Sequence, residues 1–178
     1  MKPKAFLNES GLYDYAVRAL GRRMRTEAEL RRLMRSRVEP GPGGEGVVQA
    51  VVARLKEQRY LDDRSYAETF SRLRRENDKL GQRRVRQALG QRGVSSSVVD
   101  QVVTESYAKT NEETLARQYL ECKRLRKPAD EKETARVMRR LVAAGFSTSV
   151  IYRILRQWNV PDESLSALEN VSDEVQED

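Results

Sequence analysis

Two stretches decide the fold: GVSSSVVDQVV at residues 93–103 and GFSTSVIYRIL at residues 145–155. They align without a gap, 52 positions apart. In each, a glycine can take the left-handed position that ends one helix, an apolar residue (Val94, Phe146) folds back on it, and a serine opens the next helix. Apolar pairs then recur four residues apart, as Val98, Val99, Val102, Val103 and as Val150, Ile151, Ile154, Leu155. Val47, Val48, Val51 and Val52 repeat that spacing with Leu55 continuing the stripe, so the helix is present three times.

Working outward, the preceding helix aligns on Leu33, Leu89 and Leu141, each five residues before Val38, Val94 and Phe146. The helix before that aligns on Ala16, Ala67 and Ala116. Capping chemistry punctuates the pattern: Thr26 with Glu29, Ser65 with Glu68 and Asp130 with Glu133 read as capping boxes, and Asn111, Ser95 and Ser147 as simple N-caps. No run alternates apolar and polar residues as a half-buried strand would. The expectation is an all-α chain of three tandem three-helix repeats, at residues 11–59, 62–109 and 111–159, forming an elongated, curved molecule. An N-terminal arm (1–10) precedes them, a Gly/Pro-rich loop (39–46) interrupts the first, and an acidic, disordered tail (160–178) follows.

Composition narrows the function. The 178 residues are 38% hydrophobic and 6% aromatic, thin material for one large core and suited to small helical units that share surfaces. The net charge of +7 is asymmetric: the last nineteen residues hold seven acids and no Lys or Arg, which leaves +14 on the first 159. A body this basic attracts polyanions or acidic protein surfaces. With Cys122 the sole cysteine and no histidine at all, disulfides, cysteine metal clusters and the usual neutral-pH proton shuttle are absent. GQRRVRQALGQRG (81–93) lacks the Lys-Ser/Thr of a phosphate loop and no apolar strand precedes it. Asp62 and Asp63, adjacent ahead of a helix, read as caps and dipole partners rather than magnesium ligands. No catalytic, cofactor or metal residues are expected, and no enzyme. The N-terminus lacks an apolar run of signal-peptide length, so the expectation is a soluble, cytoplasmic monomer without a membrane partner.

Arginine clusters carry the candidate binding residues. The central group is Arg74, Arg75, Lys79, Arg83, Arg84 and Arg86, flanked by Arg31, Arg32 and Arg35 upstream and by Arg124, Arg126, Lys127, Arg139 and Arg140 downstream. Val85, Ala88 and Leu89 share one face of the middle helix, which leaves its arginines to coat the rest. Arginine suits bidentate contact with phosphate or carboxylate. Tyr15, Tyr66, Phe70, Tyr119 and Phe146 occupy recurrent positions and read as core, while Tyr60 and Trp158 stay open. Basic charge without evident stacking platforms favours phosphate or acidic-protein contact over base reading.

YLDDRSYAETFSRLRRENDKLGQRRVRQALGQRGVS (60–95) resembles the central signature of the RecX regulatory proteins, bacterial modulators of the RecA recombinase. RLVAAGFSTSVIYRIL (140–155) is similar to the family's closing segment and RALGRRMRTEAELRRLM (18–34) to its opening one. The resemblance spans about residues 12–157; the GPGG loop and the acidic tail fall outside the family core. It implies tandem three-helix repeats and a protein that binds RecA filaments on DNA, lodges in the filament groove, suppresses ATPase and strand exchange, and limits filament growth. The implied partners are the RecA filament and, weakly and without sequence preference, single- or double-stranded DNA. The residues by themselves leave open the alternative of a basic DNA-binding protein that acts by occupying DNA.

Overall fold

The structure, a computed structural model, describes residues 6–160, which form nine α-helices and no strand. They are α1 (Glu9–Arg22), α2 (Glu27–Arg35), α3 (Pro42–Glu57), α4 (Asp63–Glu76), α5 (Gln82–Gln91), α6 (Ser96–Tyr107), α7 (Glu112–Cys122), α8 (Glu131–Ala143) and α9 (Thr148–Gln157). The all-helical expectation holds, with the helices in the order read from the repeat. The acidic tail and its expected disorder fall on residues 161–178, outside the described residues, as do residues 1–5 of the N-terminal arm.

The chain divides into two compact units. Among the described residues, one comprises residues 6–70 together with Ala88–Val102; the other comprises Ser71–Gln87 together with residues 103–160. The dividing lines therefore fall within α4, α5 and α6.

In the first unit α1, α2 and α3 close a core around Leu12, Ala16, Leu30, Met34, Val48, Val51 and Leu55, with Leu61 sealing it. Thr26 is fully buried and serves twice: its hydroxyl oxygen accepts the Glu29 N–H at 3.1 Å, and the hydroxyl donates to the Arg92 carbonyl at 2.7 Å. Gly93, at φ 79°, sits so close to Ala28 that a Cβ there would lie 2.4 Å from the alanine methyl. The second unit is built on Leu115, Leu120, Val137, Met138, Leu141, Phe146, Ile151, Ile154 and Leu155. Tyr119 meets Phe146 edge-on at 5.7 Å between ring centroids. Asn111 caps α7 through the Thr114 N–H at 2.9 Å, and Asp130 caps α8 through the Glu133 N–H at 2.7 Å.

Three local expectations are corrected. Ser65 does not cap α4; the helix starts two residues earlier and the Asp62 carboxylate accepts the N–H groups of Arg64 and Ser65 at 2.8 and 3.1 Å. Leu33 is only half-buried and Met34 fills the core position. The reason is the missing glycine: the residue before Val38 does not take the left-handed backbone that Gly93 and Gly145 take before Val94 and Phe146, and the core residue lies four rather than five before Val38. The loop expected at 39–46 is mostly helix, because Gly41 at φ 121° turns the chain and Pro42 opens α3 where its missing N–H costs nothing.

Candidate functional site

The first turn of α5 is seated by a close backbone approach. Gly81 donates its N–H to the Ala144 carbonyl at 2.8 Å. A Cβ on Gly81 would lie 2.3 Å from the Gly145 carbonyl oxygen, and a Cβ on Gly145 would lie 2.3 Å from the Arg84 amide nitrogen. Only paired glycines permit that approach. The consequence is positional: Arg83 and Arg84, both exposed, stand beside Val142, Ala143 and Gly145 around an open hollow of about 460 Å³. Arg139 lies one turn before Val142 and Ala143 on α8 and is exposed, as is Arg140. Val142 is itself an exposed apolar residue within this basic surround.

Helix charge gives this turn its meaning. Acids stand in the first turn of α1, α2, α3, α4, α7 and α8, where they complement the helix dipole. α5 has no acid there; it has Arg83 and Arg84. Two cations on amides that already carry partial positive charge oppose helix stability and concentrate a positive field. Arg84 finds only the neutral Gln87 side chain, at 2.8 Å, and neither arginine has a carboxylate partner among the described residues.

The fourteen expected binding residues separate by how they are engaged. Arg31 donates to Glu27 at 2.8 Å, Arg35 grips Glu45 with two bonds at 2.5 and 3.1 Å, and Arg74 donates to Asp78 at 2.6 Å. Arg75 donates to the Ser106 carbonyl and lies against Tyr107, and Arg86 donates to Gln82 and Thr104. These five hold the fold. The side chains of Arg32, Lys79, Arg83, Arg124, Arg126, Lys127, Arg139 and Arg140 have no hydrogen-bonding or ionic partner among the described residues. In the first unit Arg32 borders a hollow with Arg23 and Arg25, which belong to the basic run RRMR (22–25) but are not among the fourteen expected binding residues. In the second, Lys79 borders one with Lys109.

Carboxylates at the start of α4 are structural, as their spacing suggests. The Ser65 N–H foremost holds the Asp62 carboxyl below its ordinary pKa. Asp63 reaches another helix and accepts the Glu27 N–H at the start of α2 at 2.8 Å; burial pushes its pKa up. Burial also raises Glu27, but hydrogen bonds from Lys56 and Arg31 outweigh it and leave the pKa lowered. Tyr107, whose hydroxyl donates to the Leu80 carbonyl at 2.8 Å, is pushed by burial up to about 12. Of the two aromatics left open, Trp158 packs against the core of the second unit and Tyr60 is 59% exposed.

No helix among the described residues is long and apolar enough to cross a membrane. A family model for the second three-helix domain of RecX matches residues 62–103. A regulatory protein RecX of Thermus thermophilus is 34% identical over 149 residues, 84% of this chain and 91% of that protein. That of Geobacillus thermodenitrificans is 31% identical over 146 residues, 80% of this chain but 52% of the longer relative. A crystal structure of a regulatory protein RecX superposes with a TM-score of 0.67 at 24% identity, over 84% of this chain and 71% of that one, which establishes the fold. On these matches the chain belongs to the RecX family, and its role is that of a regulatory protein.

Proposed function

We propose that this chain is a non-enzymatic negative modulator of a RecA-type recombinase. It binds the recombinase filament on DNA, lies in the filament groove, restrains ATP hydrolysis and strand exchange, and limits filament growth. One observation carries the reading: α5 bears Arg83 and Arg84 in its first turn, against its own dipole and without a carboxylate partner among the described residues. Charge placed where it costs stability is explained by a ligand that returns the cost, and the ligand must be anionic. A filament groove offers both acidic side chains and phosphates, and contact across neighbouring subunits would restrain the motions that hydrolysis requires.

The same cations would also hold naked DNA, which defines the rival reading. Binding to phosphate releases counterions, so affinity for naked DNA falls steeply with salt. The test is to measure affinity for naked single-stranded DNA and for the same DNA coated with RecA at matched salt. Tighter binding to the coated DNA is expected. Preference for naked DNA would overturn the filament reading in favour of simple DNA occupancy.

A further inference from the structure

Five helices end in the same way. Arg59, Gly93, Arg124, Gly145 and Asn159 all have left-handed backbones, with φ of 59°, 79°, 53°, 89° and 56°. In each case the next residue donates its N–H to a carbonyl five residues back: Tyr60 to Leu55 at 2.9 Å, Val94 to Leu89 at 3.3 Å, Leu125 to Leu120 at 2.8 Å, Phe146 to Leu141 at 3.2 Å, Val160 to Leu155 at 3.2 Å. In this closure the residue after the left-handed one ordinarily folds its apolar side chain back onto the helix. Val94, Phe146 and Val160 are buried accordingly, and Leu125 packs against the core of its unit.

Tyr60 departs from the rule. At 59% it is more exposed than the other exposed large hydrophobic residues, Phe6, Met24, Leu73 and Val142. Its place in the core is taken by Leu61, 4% exposed, whose N–H shares the Leu55 carbonyl at 3.3 Å. The ring is thus held toward water on a fixed backbone, and its hydroxyl has no partner among the described residues. Arg59 beside it is exposed, its guanidinium equally without a partner among the described residues, and adopts a backbone that disfavours a residue with a Cβ.

The surroundings select the partner. Arg59 borders a hollow of about 760 Å³ in the first unit. The other cations there are answered locally: Arg31 and Lys56 hold Glu27 at 2.8 and 2.9 Å, and Arg64 holds Glu68 at 3.0 Å. A polyanion gains little from so balanced a field around Arg59, whereas tyrosine and arginine are the side chains that most often dominate protein–protein contacts. We infer that Arg59 and Tyr60 form an anchor for a folded protein surface, separate in chemistry from the unpaired arginines of α5. This rests on the reading above, in which that protein is a subunit of the recombinase filament.

The test uses the full-length chain, RecA and single-stranded DNA, with RecA ATPase and binding to naked single-stranded DNA as the readouts. Tyr60→Ala should raise the concentration for half-inhibition about thirtyfold, as loss of an anchoring aromatic does, and leave the affinity for naked DNA unchanged. Tyr60→Phe should stay within about threefold, because the ring rather than the hydroxyl makes most of the contact area. Arg59→Gly should melt at a higher temperature yet inhibit less well, a combination that a purely structural role cannot give. If the wild-type chain inhibits and Tyr60→Ala inhibits equally, the anchor is refuted and the functional reading stands. If Tyr60→Ala loses inhibition and naked-DNA affinity by the same factor, the ring stacks on bases and the protein anchor is refuted. If the wild-type chain does not inhibit, the functional reading fails and takes the anchor with it.

Discussion

Single residues in this chain carry costs that can be measured. Arg124 holds a left-handed backbone at φ 53° where Gly93 and Gly145 do the same task without a Cβ. Replacing Arg124 by glycine should stabilise the fold by about 1 kcal/mol, a rise of about 3 °C in a thermal melt followed by circular dichroism. A fall in melting temperature would mean that the arginine side chain supports the turn. Asp63 offers a test by pH. Burial raises its folded pKa above the ordinary 3.8, against the pull of the Glu27 N–H and with the Glu27 and Asp62 charges adding to the rise. A raised folded pKa means that the stability linked to the bound proton is complete in acid and is lost as pH rises through that pKa. Asp63→Asn keeps an oxygen for the Glu27 N–H and removes the buried charge. It should be more stable than wild type to urea at neutral pH, by a margin that shrinks as the pH falls toward the ordinary aspartate value. An equal margin at both ends would refute the burial account. The capping role of Asp62 and Asp63 was legible in the sequence, because adjacent acids ahead of a helix have few other uses. The left-handed cations were not: nothing in a residue's identity shows that an arginine occupies a glycine's backbone.

Elements are positioned by a few backbone approaches. Gly145 at φ 89° leaves no room for a Cβ beside the Arg84 amide, so Gly145→Ala should cost about 3 kcal/mol and lower the melting temperature by about 10 °C. Gly90 makes the contrast within α5: a Cβ there meets nothing within 4 Å, and Gly90→Ala should add about 1 kcal/mol through helix propensity. Similar melting temperatures for the two variants would contradict the packing described for α5. Reversal of Arg83 and Arg84 together to Glu places acids in a first turn that lacks them, so helical content should survive or rise. Inhibition of the recombinase should nevertheless weaken about tenfold or more, since two charge-assisted contacts are lost; unchanged inhibition would remove α5 from the contact surface. The repeated Gly-apolar-Ser turns were readable because each residue type there answers a specific backbone demand. Without a left-handed residue ahead of Val38 the core position shifts by one, which is why the sequence pattern points to Leu33 in place of Met34.

At the scale of the chain, periodicity was enough to recover, in order, the nine helices of the described residues, since each of them buries a stripe with the 3.6-residue repeat. Charge clustering does not show how each cation is engaged. Arg31, Arg35, Arg74, Arg75 and Arg86 belong to arginine-rich runs as much as Arg83 and Arg84 do, yet they hold carboxylates, carbonyls or polar side chains of the chain itself. Those partners lie as far as thirty-one residues away in sequence, as Ser106 does from Arg75, and only folding shows them. What remains free is a smaller set of cations, opposing a helix dipole on α5 and standing apart in chemistry from an exposed tyrosine in the first unit. In the proposed function these features restrain a recombinase filament. The direct measurement is RecA ATPase activity on single-stranded DNA with the full-length chain titrated in at amounts below one per RecA subunit. Steady loss of hydrolysis well below stoichiometry is the predicted result; hydrolysis that stays at its starting rate throughout the titration would contradict the account.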